Sequence, residues 1–272
     1  PMSQVDVPPT YRVANHTLHD AEKHGLEHLT FAGVLAKSSN IGTVKVAQRV
    51  GPQRLYDMMH GFGFGEKTGI ELPGDSRGLL PKPADWSVTS IGTIPIGQGV
   101  SVSALQAASV YATIANGGVR VTPTIVKAIR DNGGHVTAAP APTSRRVVTA
   151  EVAGQIRAML ESVVSEQGTA PQAAIPGYRV AGKTGTAQRV ATSGPRQGHY
   201  DGTYTSSFIG MAPADAPRFV TAVVLQGTRS YGHFGGLVAA PLFSKVMGFA
   251  LRSYDVAPTG TRPHPFRLTA AD

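Results

Sequence analysis

The sequence contains no cysteine among its 272 residues. Disulfide bridges, thiolate nucleophiles and thiolate metal ligands are therefore excluded. The sequence also has no run of eighteen apolar residues, so no membrane-spanning helix is predicted within it. Residues 1–4 lack the basic stretch and apolar core that begin a signal peptide.

Acidic side chains are scarce: 17 Asp and Glu stand against 25 Lys and Arg, which gives a formal net charge of +8. A basic surface favours anionic partners such as nucleic acid, anionic lipid or acidic cell-wall polymers. However, the basic residues are scattered, and Arg145 and Arg146 form the only adjacent pair. This spacing favours a solvated surface, and no nucleic-acid partner is predicted.

The length of the chain and its 41% hydrophobic residues predict one globular domain. Apolar periodicity, with N-caps predicted at Thr30, Ser103 and Thr149, predicts helices at about 31–37, 41–50, 52–61, 103–116, 149–164 and 237–252. Runs of β-forming residues predict strands at 178–188, 205–212 and 219–226. Residues 1–29 are predicted as loop, 63–100 as loops with short strands, and 255–272 as a loosely ordered tail. The predicted class is α+β, with an antiparallel sheet flanked by helices and a mostly helical second lobe.

One local pattern suggests nucleotide binding. Residues 177–184 match the phosphate-loop pattern G-x-x-x-x-G-K-[ST]. That loop needs a strand before it and a helix after it, so that free N–H groups surround the phosphate. Here the interior of the pattern is itself strand-like, and no helix start follows Thr184. The sequence within and after the pattern therefore disfavours a nucleotide site.

A second pattern suggests zinc. Residues 24–28 match the inverted zinc-protease pattern H-x-x-E-H, which needs its two histidines on one helix. Gly25 would cost that helix about 1 kcal/mol relative to alanine. The surrounding residues are polar and typical of a loop, so His24 and His28 are interpreted as loop histidines and no metal site is predicted.

Two short motifs lie far apart in the chain: Ser38-Ser39-Asn40 and Lys183-Thr184-Gly185. Alone, the first is typical of a helix cap and the second of a strand with a surface charge. Together they match two of the three motifs of active-serine penicillin-recognising enzymes, namely S-x-x-K, S-x-N and K-[TS]-G.

Longer stretches carry the same resemblance. Residues 37–47 resemble the second-motif helix of class B (monofunctional) penicillin-binding proteins. Residues 97–118 are similar to their glycine turn and the helix after it, and residues 177–188 to their third-motif strand. The likeness covers about 11–254 and is nearest the cell-division (septal) type, with the elongation type left open. It implies a transpeptidase domain with the fold of penicillin-binding proteins and serine β-lactamases, of which this chain would be the C-terminal part and therefore incomplete.

The resemblance implies a peptidoglycan D,D-transpeptidase with an acyl-serine mechanism and no cofactor. Its substrate would be the D-Ala-D-Ala end of a stem peptide, and β-lactams would inhibit it. Ser38 would relay a proton, Asn40 would orient the substrate amide, and Lys183 would supply positive potential. Divisome proteins would be its partners, on the extracytoplasmic face of a bacterial membrane with the anchor upstream.

The resemblance also assigns the third-motif strand to substrate binding. The hydroxyls of Thr184 and Thr186 would hold the terminal carboxylate of the substrate. Gly185 would let the strand approach the substrate without a side chain in between. The Thr186 N–H would be one donor of the oxyanion hole.

The first family motif, S-x-x-K, is absent from the sequence. No lysine has a serine three residues before it. The nucleophile is therefore expected upstream of residue 1, and the chain alone is expected to be inactive. The alternative is a non-catalytic module that binds muropeptides or acts as a divisome scaffold.

Overall fold

The computed structural model describes residues 1–195, 197–229, 232–263 and 266–270. The helices are α1 (Phe31–Ala36), α2 (Asn40–Val50), α3 (Pro52–Gly61), α4 (Ser90–Thr93), α5 (Ala104–Ala115), α6 (Ala150–Ser162), α7 (Gly235–Val238) and α8 (Ala240–Ser253). The strands are β1 (Gln4–Val7), β2 (Tyr11–Val13), β3 (His16–Leu18), β4 (Glu27–Thr30), β5 (Val119–Val121), β6 (Ala128–Arg130), β7 (Val136–Ala138), β8 (Ser144–Arg146), β9 (Ala181–Val190), β10 (Tyr200–Ala212) and β11 (Phe219–Thr228). Across the described residues, none of the helices has both the length and the apolarity that crossing a membrane requires.

The largest sheet is antiparallel and has the strand order β11-β10-β9. These are the three predicted strands, so that prediction is confirmed, although β9 begins at Ala181 rather than at 178. Tyr178 lies in the turn before the strand, where its N–H donates to the Ile175 carbonyl. Lys183 pairs with Ile209 in the centre of the β9–β10 ladder.

One face of this sheet is packed against α8. Phe208 of β10 contacts Phe243 of α8 edge to face, with 4.7 Å between ring centroids, and both side chains are fully buried. Met247 and Leu251 extend the buried stripe along α8. Aromatic pairs with this geometry add about 0.5–1.5 kcal/mol to the effect of burial.

The prediction of loop for residues 1–29 is wrong. Strand β1 pairs with β4, and β2 pairs with β3. Val5 and Val7 alternate with exposed residues along β1 and are buried beside Leu29 and Ile41. These strands are three or four residues long, so their alternation is too short to stand out among prolines and histidines.

The loosely ordered tail predicted for 255–272 does not describe residues 267–270. Leu268 is buried, and its carbonyl accepts from the Thr30 N–H at 2.9 Å. The Ala270 N–H donates to the His28 carbonyl at 2.8 Å. A Cβ on Gly33 would lie 1.9 Å from the Leu268 carbonyl oxygen, so this glycine is what admits the segment. Residues 264–265 and 271–272 of the predicted tail lie outside the described residues.

The predicted N-caps agree with the observed helix starts. Thr30, Ser103 and Thr149 are N-caps, and Ser103 forms the full capping box with Gln106. The region 63–100, all of which is described, contains short helical turns and no strand beyond an isolated bridge at Leu79. The predicted helix 237–252 is two helices, α7 and α8, which are separated at Ala239.

Helix α5 is rich in alanine and apolar on most sides. Its most deeply buried residues include Gln106 and Ile114 rather than Leu105 or Ala108. The Gln106 amide nitrogen donates to the carbonyls of Gly63, Glu66 and Arg77, at 3.3, 2.8 and 3.0 Å respectively. This single side chain therefore ties the glycine-rich segment after α3 to α5.

We expect Gly235→Ala to destabilise the fold and Gly154→Ala to stabilise it slightly. A Cβ on Gly235 would lie 2.2 Å from the Ser207 carbonyl oxygen and 2.6 Å from that of Gly185. Both atoms are backbone, so relief requires the strands to move, at about 1–3 kcal/mol. Gly154 lies within α6 with nothing within 4 Å of its Cβ position, so alanine should gain about 0.5–1 kcal/mol there. Urea unfolding of the two variants measures the difference, and equal stabilities would contradict the predicted clash.

Candidate active site

Ser38 lies in a Schellman turn that ends α1. The Ser39 N–H donates to the Val34 carbonyl at 3.0 Å, and the Ser38 N–H donates to the Leu35 carbonyl at 3.2 Å. Ser38 itself has φ of +56°, a left-handed conformation in which glycine is the usual residue. A side chain at this position costs about 1–2 kcal/mol of strain. The chain therefore accepts a local cost to present a hydroxyl at this point.

Lys183 brings the third motif into contact with the second. Its Nζ donates to Ser38 Oγ at 2.7 Å, although the two residues are 145 positions apart. The end of α1 therefore meets strand β9. The partly buried ammonium is also 3.2 Å from Thr184 Oγ1 and 3.3 Å from the Thr184 carbonyl oxygen. Burial lowers the pKa of Lys183 to about 8.

Asn40 is the first residue of α2. Its side-chain amide donates to the His19 carbonyl at 3.0 Å, which fixes the side chain against the loop before β4. The role of Asn40 in orienting substrate stays a prediction.

The third motif lies on the edge strand of the largest sheet. The Thr184 hydroxyl is 3.1 Å from that of Thr169 as well as contacting Lys183. Thr186 is exposed, and its hydroxyl oxygen accepts from the Gly235 N–H at 3.1 Å. That contact uses a lone pair of Thr186 and leaves its O–H available as a donor.

Gly185 is a position of close approach. A Cβ there would lie 2.5 Å from Ser207 Oγ of the neighbouring strand. The absence of a side chain therefore lets β9 and β10 pack closely beside Lys183. This is a contact within the fold, whereas the predicted approach of Gly185 to a substrate is not tested by it.

Neither rival motif has the helix that its kind of site requires. The phosphate-loop residues Gly182, Lys183 and Thr184 lie within β9, so no helix N-terminus follows them. His28 belongs to β4 and contacts Asp6 at 2.7 Å, whereas His24 contacts Asp20 at 3.2 Å. Within the part of the chain that the structure describes, no group of three or more metal-ligating side chains is found.

Sequence reasoning missed Asp20 and Thr169. Asp20 contacts the turn between α1 and α2, and Thr169 contacts Thr184. Both residues lie in irregular segments with no periodicity, so no local pattern singles them out. Only the tertiary structure brings them to the site.

A serine and a lysine are in contact beside a strand of threonines and glycine, which is the arrangement that the resemblance to penicillin-recognising enzymes predicts. A family model for the penicillin-binding protein transpeptidase domain matches residues 1–248. The chain belongs to this family. It is a transpeptidase domain of the class B type, close to the proteins PbpB and FtsI.

Named relatives show the extent of the match. Penicillin-binding protein PbpB of Mycolicibacterium smegmatis is 43% identical over an alignment 273 residues long, gaps included, which covers 97% of this chain and 42% of that protein. Peptidoglycan D,D-transpeptidase FtsI of Escherichia coli K12 is 36% identical over 248 residues, covering 91% of this chain and 40% of that protein. The chain thus spans about two-fifths of the length of these relatives.

A solved structure confirms the fold. Penicillin-binding protein 3 of Mycobacterium tuberculosis, in complex with ampicillin, superposes with a TM-score of 0.91 at 41% sequence identity. The match covers 100% of this chain and 61% of that one. The predicted α+β fold of a penicillin-binding protein transpeptidase is therefore confirmed.

Proposed function

We propose that the protein containing this chain is a peptidoglycan D,D-transpeptidase that cross-links stem peptides during septal wall synthesis. The observation that carries the proposal is the 2.7 Å contact between Lys183 Nζ and Ser38 Oγ, because it joins two distant family motifs. The protein would act on the extracytoplasmic face of the membrane among divisome partners. The related M. tuberculosis protein has been crystallised with ampicillin and with aztreonam, which supports β-lactams as inhibitors.

The chemistry follows from the groups at the site. A serine hydroxyl outside this chain attacks the carbonyl carbon of the penultimate D-Ala, and its proton passes to a lysine base. The C–N bond breaks, and Ser38 conducts a proton to the departing amine of the terminal D-Ala. An acceptor amine from a second stem peptide then attacks the acyl carbon, the ester C–O bond breaks, and a proton from the amine returns to the serine oxygen, which completes the cross-link.

Substrate binding would use the β9 side of the site. At pH 7 Lys183 is mostly protonated, because its pKa of about 8 lies above that pH. Its charge attracts the terminal carboxylate of the substrate. The free O–H of Thr186 and the Thr184 hydroxyl are placed to donate to that carboxylate, while Asn40 orients the amide of the peptide. The Thr186 N–H is the proposed oxyanion donor on this chain.

The proposal requires a nucleophile from a segment that this sequence does not contain, since S-x-x-K is absent from it. One oxyanion donor contributes roughly 3–4 kcal/mol. Loss of the serine in a hydrolase costs on the order of a million-fold in rate. The remaining groups cannot offset that loss, so residues 1–272 alone are proposed to be inactive.

We expect a fluorescent penicillin to label the full-length gene product covalently and to leave residues 1–272 unlabelled. Denaturing electrophoresis and intact-mass measurement detect the adduct. Pre-incubation with an unlabelled β-lactam should abolish the label and serves as the control. A labelled band from the chain alone would refute the requirement for an outside nucleophile. An unlabelled full-length product would instead favour the non-catalytic, muropeptide-binding alternative.

A further inference from the structure

The turn that carries Ser38 and Asn40 is held by a carboxylate from another part of the chain. Asp20 Oδ2 accepts from Ser39 Oγ at 2.6 Å, and Asp20 Oδ1 accepts from the Ile41 N–H at 3.0 Å. Only 11% of the Asp20 side chain is exposed. Ser39 and Ile41 flank Asn40 on both sides, so one carboxylate holds the residues before and after Asn40.

These bonds complete the N-terminus of α2. Ser39 is the N-cap, and its hydroxyl oxygen accepts from the Gly42 N–H at 2.9 Å while its proton goes to Asp20. The first amides of a helix have no partners within it, and Asp20 supplies one for Ile41. A negative charge is also favourable at the positive end of the helix dipole. Asp20 therefore acts on α2 as a cap supplied by a distant residue.

Asp20 is in turn oriented by His24. The His24 Nε2 lies 3.2 Å from Asp20 Oδ2, and its Nδ1 lies 2.6 Å from the Gly25 carbonyl oxygen. Both ring nitrogens face acceptors, so only the doubly protonated ring can donate to both. The neighbouring His19 carbonyl accepts from the Asn40 side chain at 3.0 Å. Residues 19–24 thus hold the Ser39–Asn40 side of the turn.

The opposite side of the turn is held by α1. The two Schellman hydrogen bonds fix Ser38 relative to Val34 and Leu35. Ser38 therefore lies between two anchors, the end of α1 before it and the Asp20 contacts after it. Release of the second anchor would let Ser38 Oγ and the Asn40 amide drift relative to Lys183.

We propose that Asp20, oriented by His24, is a positioning residue for the acylation step. The inference rests on the proposed transpeptidase function, which gives Ser38 and Asn40 their roles. Asp20 contacts neither Ser38 Oγ nor Lys183 in the structure, and it acts through Ser39 and Ile41. A displacement of about 1 Å in a reacting group can cost on the order of 100-fold in rate.

The chain provides a matched control in a second Asp–His pair. Asp6 Oδ1 lies 2.7 Å from His28 Nδ1, but 54% of Asp6 and 41% of His28 are exposed. Strands β1 and β4 carry this pair, and Asp6 does not contact the Ser38–Ile41 turn in the structure. Asp6→Asn therefore removes the same charge from a similar pair without loosening the second motif.

The test uses Asp20→Asn in the full-length gene product. Asparagine keeps the size of the side chain and can still accept from Ile41, but it presents an N–H where Ser39 donates. We expect the acylation rate constant for a fluorescent penicillin to fall about 10- to 100-fold, with the noncovalent dissociation constant within about threefold of wild type. Asp6→Asn should acylate like wild type.

Two outcomes would overturn the inference. One is acylation by Asp20→Asn within about twofold of wild type. The other is an equal loss in Asp6→Asn, which would indicate a general effect of charge. Circular dichroism at the assay temperature confirms that each variant is folded.

Failure of the proposed function is separable from failure of the inference. If wild type does not acylate, hydrogen exchange on the same full-length variants still reports the turn. Asp20→Asn should then speed exchange at Ile41 and Gly42 at least tenfold, while Asp6→Asn leaves it unchanged. Unchanged exchange in Asp20→Asn would refute the positioning role on its own.

Discussion

Lys183→Met in the full-length gene product is expected to lower the rate of penicillin acylation about 10³-fold while leaving the fold at least as stable as wild type. The substitution removes the Nζ that contacts Ser38 Oγ at 2.7 Å and the charge that attracts the substrate carboxylate. Groups that transfer protons or stabilise charge at a dry site each contribute about 10²–10⁴ in rate.

The stability of the same variant should move in the opposite direction. Burial lowers the Lys183 pKa from its ordinary 10.5 to about 8, so the folded state disfavours the protonated form. At about 1.4 kcal/mol per pH unit, this penalty is roughly 3 kcal/mol at most, and contact with solvent makes it smaller. It is fully present below pH 8 and is relieved as pH rises from 8 towards 10.5. Methionine carries no such penalty, so the unfolding free energy at pH 7 should not fall.

The pH dependence of the acylation rate is a third measurement that tests the role of Lys183. In wild type, the Lys183 charge is lost as pH rises through about 8, so acylation by a carboxylate-bearing β-lactam should decline above that pH. In Lys183→Met the residual rate should lack this decline. Lys127→Met, at an exposed position, is the control and should change neither rate nor stability. Near-normal acylation by Lys183→Met would show that Lys183 is not needed for acylation.

Local sequence predicted those features that depend on a few neighbouring residues. Thr30, Ser103 and Thr149 were identified as N-caps because a side-chain oxygen meets an amide two or three residues later. Strand β11 was predicted because β-branched and aromatic residues predominate in 219–226. In both cases the physical cause lies in residues that are close together in the sequence.

Features that depend on tertiary contacts were missed. Strand β1 is defined by its pairing with the distant strand β4 and by burial of Val5 and Val7. The Leu268 segment is held by Thr30 at the other end of the chain. Neither contact has a local signature, so composition alone suggested loop and tail.

The candidate site shows the same division. Ser38 and Lys183 were selected by their resemblance to family motifs, since each motif alone is common in turns or strands. Only that resemblance gives a reason to expect contact between residues 145 positions apart, and the structure places Lys183 Nζ 2.7 Å from Ser38 Oγ. Asp20 belongs to no motif, and only coordinates reveal that it caps α2.

Ser38→Gly and Ser38→Ala are expected to abolish the same chemistry while differing in stability. Both remove the hydroxyl that contacts Lys183, so both should lower acylation of the full-length product about 10²- to 10⁴-fold, the range for a proton-transferring group. Gel-based labelling with a fluorescent penicillin measures the loss. Near-normal labelling of either variant would show that the Ser38 hydroxyl is not the proton relay.

Stability should separate the two variants because Ser38 has φ of +56°. Glycine adopts this conformation freely, whereas alanine retains the strain, so Ser38→Gly should be about 1 kcal/mol more stable than Ser38→Ala. Ser109, in the interior of α5, is the control, because there the order should reverse, with glycine about 1 kcal/mol below alanine. Urea unfolding of the four variants measures both differences. The same order at both positions would show that the left-handed turn imposes no strain, and the case that the chain accepts a cost to present the Ser38 hydroxyl would fail.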